Sequence, residues 1–431
     1  MRLEIESIDI INVMSGAKTQ VENHVLSIDF KELEKIILSD ERICGVTIEI
    51  VSPGDSCRIV NVVDVIQPRC KIGREGDDFP GYLGEIVPAG HGKTRSLRGV
   101  AVVLSNSASK RSYSSLIDMS GIGMEMGPYG KMKILSLHPL PSESVEERAF
   151  EMAVKLAGLK TAVYLARAAE GQAIDQTDTY ALGLQSLRST DKLRSLPRVA
   201  YYYQLHTPQH DYQMIGDPIL YGASVTNLLP TVIHPNQVLD GAIVNSHTLR
   251  GLDTYAIQNH AVIKELYKHH GKDLIFAGVV IGVASVDPIQ RQRMCTMAAN
   301  LIANVLEADG VILTKVHGGM PHVDLGQLAE TCEALSVKTS LFIDLLQNVG
   351  TLSDAVIYSG SSLDAIINCG NVLERIRLPR MNKILGGTEE TAIYHPECFQ
   401  KASDPVIEIE GFLLAGVYSH VGGATITAVE V

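Results

Sequence analysis

The chain opens on MRLEIESIDIINV, where apolar and polar residues alternate with the period of a half-buried strand. Alternation, or β-branched runs broken by Gly, Pro and Asp, recurs in NHVLSIDF, CGVTIEIVS, CRIVNVVDVIQ, GVAVVLS and KMKILSLHP. Residues 1–140 are therefore predicted to form a β-rich domain. Ser144 and Glu147 have the spacing of a capping box, and behind them AFEMAVKLAGL and AVYLARAAEG carry helical patterns. PRVAYYYQLHT reads as a strand, NQVLDGAIVNS as a strand or strand end, and NHAVIKELYKHHG as a helix closed by Gly271. Those before residue 246 make residues 141–245 an α/β middle region.

From Asp273 the rhythm becomes a regular β/α alternation. DLIFAGVVIG is a continuous apolar run suited to a strand buried on both faces. Asp287-Pro288 opens a helix whose apolar stripe is Ile289, Met294, Met297, Leu301, Val305 and Leu306. VILTKV, VKTSLFIDLL and DAVIYSG read as further strands, and the loop HGGMPH leads into a helix over DLGQLAETCEAL. Strands alternating with helices of this length predict a doubly wound parallel sheet for residues 246–431. The fold class is α/β, with a β-rich N-terminal region.

Composition narrows the function. At 431 residues, 45% hydrophobic and 20% charged, the chain is long enough for two or three folded domains and is not disordered. A formal charge of -12 with scattered basic residues repels a phosphate backbone, which excludes nucleic acid as a partner. No apolar run reaches the ~18 residues of a membrane span, and the opening lacks the basic stretch and unbroken apolar run of a signal peptide. A soluble, cytoplasmic protein without a membrane partner is expected. The seven cysteines are odd in number, widely spread and lack a CxxC pair. They read as reduced core thiols, with no disulfide framework and no zinc site.

AGHGKT, Ala89 to Thr94, has Val87 where a phosphate-binding loop requires its first glycine, and IDMSGIGMEMGPYG lacks both GxGxxG order and the flanks of a nucleophile elbow. No nucleotide is expected. In HGGMPHVD, His317, Gly318, Gly319, His322 and Asp324 sit after a strand, where open α/β sheets place ligands. Two readings stand: a loop contacting an anionic substrate or a metal, or a Gly-rich turn with Asp324 as helix cap. No metal ligand set is assigned. His269 and His270 close a helix and suit its dipole. Asn245-Ser246-His247 reads as a strand ending in a turn, although a serine in a strained turn can attack its own preceding carbonyl and leave an amino-terminal pyruvoyl ketone.

Several blocks together carry a resemblance over nearly the whole chain. They are MRLEIESIDIINV with QVENHVLSID, SPGDSCRIVNVVDVIQPRCKI, FPGYLGEI with GKTRSLRGVAVV, IDMSG, LPTVIHPNQVLDGAIV, TYAIQNHAVIKELYKHHGKDLIFAGVVI and LPRMNKILG. In order and spacing they resemble the α/β subunit precursor of glycine/sarcosine/betaine reductase component B. The resemblance implies a precursor cleaved in mid-chain at an Asn-Cys bond, whose new terminal residue becomes a pyruvoyl group. It also implies a third component B subunit bearing a selenocysteine or cysteine nucleophile, component A and C proteins, and a small amine substrate that loses its nitrogen by reductive C–N cleavage.

Between DGAI and TYAIQNH the family's segment is a few residues longer and carries that Asn-Cys pair, whereas this chain reads VNSHTLRGLD. Asn245-Ser246 is the best match to the cleaved pair. Its assignment makes Ser246 the pyruvoyl source, Asn245 the donor of the attacked carbonyl and His247 the adjacent candidate base. The alternative is an uncleaved subunit that binds substrate and assembles the complex without an electrophile of its own.

Overall fold

A computed structural model describes residues 1–74, 76–108, 115–182, 195–206, 217–247, 252–315, 320–345, 365–389, 392–395, 398–421 and 427–428. In chain order the elements that position the site begin with β1 (Arg2–Asp9), β2 (Ile43–Val51), β3 (Val62–Ile66), β4 (Arg69–Ile72), β5 (Gly92–Arg98), β6 (Val100–Ser105) and β7 (Lys133–Pro141). Helix α1 (Glu147–Arg167), β8 (Gln176–Ala181), β9 (Arg198–Leu205), β10 (Thr231–Ile233), α2 (Pro235–Leu239), α3 (Thr254–Gln258) and α4 (Ala261–His269) follow. The last are β11 (Ile275–Val283), α5 (Pro288–Asn300), β12 (Gly310–Thr314), α6 (Met320–Ala334), β13 (Lys338–Leu345), β14 (Ala365–Asn371) and β15 (Thr427–Ala428). The expected strand DAVIYSG lies outside the described residues.

Two four-stranded sheets, in the orders β8-β1-β5-β4 and β2-β7-β6-β3, build the N-terminal half. Helix α1 lies across them, burying Phe150, Val154, Ala157 and Leu165 against Ile66, Val102, Leu104 and Leu135. The two predicted helical stretches are one helix, because Gly158 lets it run on in contact with the sheet. A Cβ there would overlap Leu104 Cδ1 and come within 2.9 Å of Ile66 Cδ1. The expected capping box does not form: Ser144 takes φ 60° and turns the chain, and Glu146 is the N-cap.

The larger sheet has seven strands in the order β10-β11-β9-β12-β13-β14-β15, parallel from β11 to β14 and antiparallel at both edges. On one face Tyr201, Tyr203, Val279 and Ile281 pack with Val238, Ile257, Ile263 and Leu266 of α2, α3 and α4. On the other face Ala200, Tyr202, Val280 and Leu313 pack with Cys295, Ala298, Leu325 and Leu328 of α5 and α6. Every residue of β11 is buried, and a bulge at Gly278, φ 146°, resets its alternation so that both faces stay apolar. Part of NQVLDGAIVNS, expected as strand, is instead α2, because Pro235 stands at its first turn and the His234 ring accepts from the Asn236 N–H.

The boundary placed at 245/246 runs through this sheet, not between two units. Strand β9 precedes it, yet both of its neighbours, β11 and β12, follow it. Lys383–Leu385 likewise pairs with Cys57–Ile59 of the N-terminal half. A polar clasp adds to these ties. Asp64 of β3 accepts from Thr254 N at 2.8 Å and Thr254 Oγ1 at 2.7 Å, and Tyr129 donates to Asp253 at 2.5 Å. Burial raises both carboxyls, that of Asp253 to about 6. Among the described residues no helix is long and apolar enough to cross a membrane.

Two outcomes follow from this packing. Gly158→Leu overpacks the contact with Leu104 and Ile66 and is expected to cost about 1–3 kcal/mol, read as a lowered thermal midpoint; an unchanged midpoint would remove the close-approach argument. The Asp253 carboxyl titrates higher in the folded chain than in the unfolded one. Its stabilising contribution is thus complete below the unfolded value near ~3.9 and is lost as pH rises through about 6. Asp253→Asn, which keeps a partner for Tyr129, should flatten the fall in stability by up to about 1.4 kcal/mol per pH unit in that window. Urea titrations at stepped pH that give parallel profiles for the two proteins would contradict this.

Candidate functional site

The connection after β9 passes to the face covered by α2, α3 and α4, whereas that after β12 passes to the face covered by α6. Because β9 and β12 are neighbours, their carboxyl ends diverge into a crevice, the place where open α/β sheets bind ligands. His206 directly follows β9 and Lys315 directly follows β12, and both line a small cavity that is partly open to solvent. Asn245, Ser246 and His420 complete its polar wall, and the remainder is apolar, with Tyr203, Leu205 and Ile243 among the lining.

The three residues of the Asn-Ser-His turn are buried and reach in three directions. Asn245 is fixed at its backbone, where its N–H donates to Thr254 Oγ1 at 3.1 Å, and at its side chain, where Nδ2 donates to the Val63 carbonyl at 2.9 Å. Asn245 Oδ1 is buried and accepts no hydrogen bond among the described residues. Ser246 Oγ lies 3.0 Å from Nδ1 of His206. His247 directs Nε2 to Asn106 Nδ2 at 3.0 Å, with Glu151 Oε1 3.9 Å away. The imidazole in hydrogen-bond contact with the serine is thus the one that ends β9, and the adjacent His247 is tied to the N-terminal half.

Of the second group, His317, Gly318 and Gly319 lie outside the described residues. His322 and Asp324 part company. Asp324 accepts from the Arg291 guanidinium and from Ser285 N, the latter at 2.6 Å, which fastens α6 to α5 and to the end of β11. Burial raises its carboxyl to about 6 against those donors. His322 lies with Nε2 3.8 Å from Asp344 Oδ1. The same Asp344 oxygen pairs with the Lys315 ammonium and lies 3.7 Å from His420 Nδ1. Burial works to raise the Asp344 carboxyl, but Lys315, His420 and His322 overcome it and hold it well below the ordinary carboxylate range. Burial alone pulls the Lys315 ammonium down, opposed by Asp344.

His206, Lys315, Asp344 and His420 were not singled out from the sequence. The first three lie near the carboxyl ends of the segments YYYQLHT, VILTKV and LFIDLL, so the carboxyl-end rule applied to every strand points to them. His420 carries no such signal. Among the described residues no group of His, Cys, Asp and Glu could hold a metal ion, and the cysteines with described side chains are unpaired.

The family described as glycine/sarcosine/betaine reductase component B subunits matches residues 1–428. The chain is 32% identical to the glycine reductase complex component B subunits alpha and beta of Acetoanaerobium sticklandii, over 99% of each chain. It is 32% identical to the sarcosine reductase complex component B subunit alpha of Peptoclostridium acidaminophilum, over 90% of this chain and 89% of the relative. The betaine reductase complex component B subunit alpha of the same organism is 30% identical over 91% of this chain and 89% of its own. No solved structure matches. With a whole-length family match and relatives of this identity and coverage, the chain belongs to the glycine/sarcosine/betaine reductase component B family.

Proposed function

We propose that this chain is the substrate-handling subunit of a reductase complex that removes the nitrogen of a small amino acid or N-methylated amine by reductive C–N cleavage, and that it matures by cutting itself at Asn245–Ser246. In this reading a partner subunit brings the selenocysteine or cysteine nucleophile, component A and C proteins complete the complex, and a dithiol is the electron donor. The observation that carries the cleavage is the 3.0 Å contact between Ser246 Oγ and His206 Nδ1 at the wall of the cavity. The residues present fit a pyruvoyl precursor: a buried hydroxyl, a base in contact with it, and a preceding residue held at backbone and side chain.

Ser246 Oγ attacks the Asn245 carbonyl carbon while His206 takes the hydroxyl proton and passes it to the Ser246 nitrogen. The C–N bond breaks, an ester forms, and no electrons change hands. Loss of the Ser246 Cα proton then breaks the Cβ–Oγ bond and frees Asn245 as a carboxylate. Water replaces the amine nitrogen, releasing ammonia. The resulting ketone would accept a substrate amine and draw electron density from its α-carbon. Strand β9 keeps both pieces in one sheet throughout.

Intact mass and Edman sequencing test the reading. The expected products are one chain ending at Asn245 and one beginning at residue 246 with a blocked terminus. Ser246→Ala is expected to remain whole, and His206→Ala to slow cleavage by about 10²-fold or more. Ser246→Cys in the His206→Ala background should recover much of the rate, because a thiol ionises near ~8.5 and depends less on a base. A full-length, unblocked chain in active complex sinks the proposal, and normal cleavage of His206→Ala removes that histidine from it.

A further inference from the structure

Asn245 is held on both sides of its Cα atom. Its side-chain Nδ2 donates to the Val63 carbonyl at 2.9 Å, and its backbone N–H donates to Thr254 Oγ1 at 3.1 Å. With the amide and the side chain both fixed, rotation about the Cα–C bond is the main freedom left to move the Asn245 carbonyl relative to Ser246 Oγ. The Val63 carbonyl is set in place by the backbone of β3, which pairs with β6. The Thr254 hydroxyl has no such backbone restraint, and it turns until something claims its hydrogen.

Asp64 claims it. Thr254 Oγ1 donates to Asp64 Oδ2 at 2.7 Å, while Asp64 Oδ1 accepts from Thr254 N and from Val65 N, each at 2.8 Å. An N–H can only donate and an ionised carboxylate can only accept. The hydroxyl between them therefore has one direction, with its hydrogen toward Asp64 and a lone pair toward Asn245. Asp64, Thr254 and Asn245 are all buried, so water does not replace a partner that is lost. Asp64 and Asn245 precede the Asn245–Ser246 bond and Thr254 follows it, so the chain of hydrogen bonds spans the cut.

We propose that Asp64 is a positioning residue for self-cleavage: acting through the Thr254 hydroxyl, it fixes the Asn245 peptide group whose carbonyl Ser246 attacks. This rests on the reading that the chain cuts itself at Asn245–Ser246, and it assigns no proton transfer to either Asp64 or Thr254. Their contribution is that the carbonyl carbon stays where Oγ can reach it, and a displacement of about 1 Å in such an arrangement costs on the order of 10²-fold in rate. Because Thr254 belongs to the second product and Asn245 to the first, the same hydrogen bonds keep the new Asn245 terminus in place after the cut.

Cell-free synthesis of the full chain, stopped and then sampled over time for intact mass, reads the rate of cutting. The assay is run above the Asp64 value of about 7, to which burial raises that carboxyl, so that the carboxylate is ionised. Thr254→Ser keeps the hydroxyl and is expected to cut within about 3-fold of the native rate, whereas Thr254→Val keeps only the shape and should cut about 10-fold or more slowly. Asp64→Asn keeps an acceptor for Thr254 N and Val65 N but turns an N–H toward Thr254 Oγ1, where it competes with Asn245. This variant is expected to retain the fold by circular dichroism and to cut about 10-fold or more slowly, and it decides the matter where Thr254→Val does not fold. Native-rate cutting by folded Asp64→Asn, or slow cutting by folded Thr254→Ser, overturns the proposal and leaves self-cleavage standing. A native chain that stays whole overturns both.

Discussion

A strand that precedes the Asn245–Ser246 bond is hydrogen-bonded between two strands that follow it, and most features of the site descend from that threading. It fixes which strand ends meet. The chain leaves β9 toward one face of the sheet and leaves β12 toward the other, so His206 and Lys315 emerge side by side at the point of divergence. It also decides what a cut would do. Separating the two pieces would unzip the middle of a parallel sheet buried on both faces, and would break the Lys383–Leu385 pairing and the Asp64–Thr254 bonds besides. A nick in the turn leaves all of these in place.

Burial acts on carboxylates in two opposite ways around this crevice. Asp64 and Asp253 accept from hydroxyl and amide donors, and desolvation pushes both toward the neutral acid. Asp344 is as deeply buried, yet Lys315, His420 and His322 hold it as an anion. One residue type is thus set to different charge states by its neighbours alone. The first pair is placed to clasp the segment after the turn to the N-terminal half. The second pairs with Lys315, which lines the cavity at the end of β12.

Element types were largely legible in the sequence, and their order in space was not. The apolar run of β11, the cap at Asp287 and the β/α alternation are local signals, and each sits where its residues indicate. Continuity was less legible: AFEMAVKLAGL and AVYLARAAEG read as two stretches, but they form one helix in which Gly158 permits close contact with the sheet. The site needed more than local reading. Ser246 meets a histidine forty residues earlier, and Asp344 meets partners on three separate segments. Strand order, which no periodicity encodes, creates those contacts. His247 was the natural base to name from adjacency alone, and adjacency along a backbone says little about where a ring points.

A serine in place of a thiol raises the demand on its surroundings, because a hydroxyl is far less acidic and must be helped at the moment of attack. Three features here meet that demand before any ligand arrives. The histidine contact provides an acceptor for the proton. The Thr254 and Val63 bonds hold Asn245, so the acyl group and the nucleophile do not have to be gathered from a flexible loop. Burial of the Ser246 side chain limits the access of water to Oγ. The same three features suit later chemistry at that position, since a group formed from Ser246 would stand at the wall of the same cavity, between an imidazole and an unmatched amide oxygen. In the proposed reading, the step that forms the electrophile and the step that uses it impose similar requirements, and both fall to the one crevice at the end of β9.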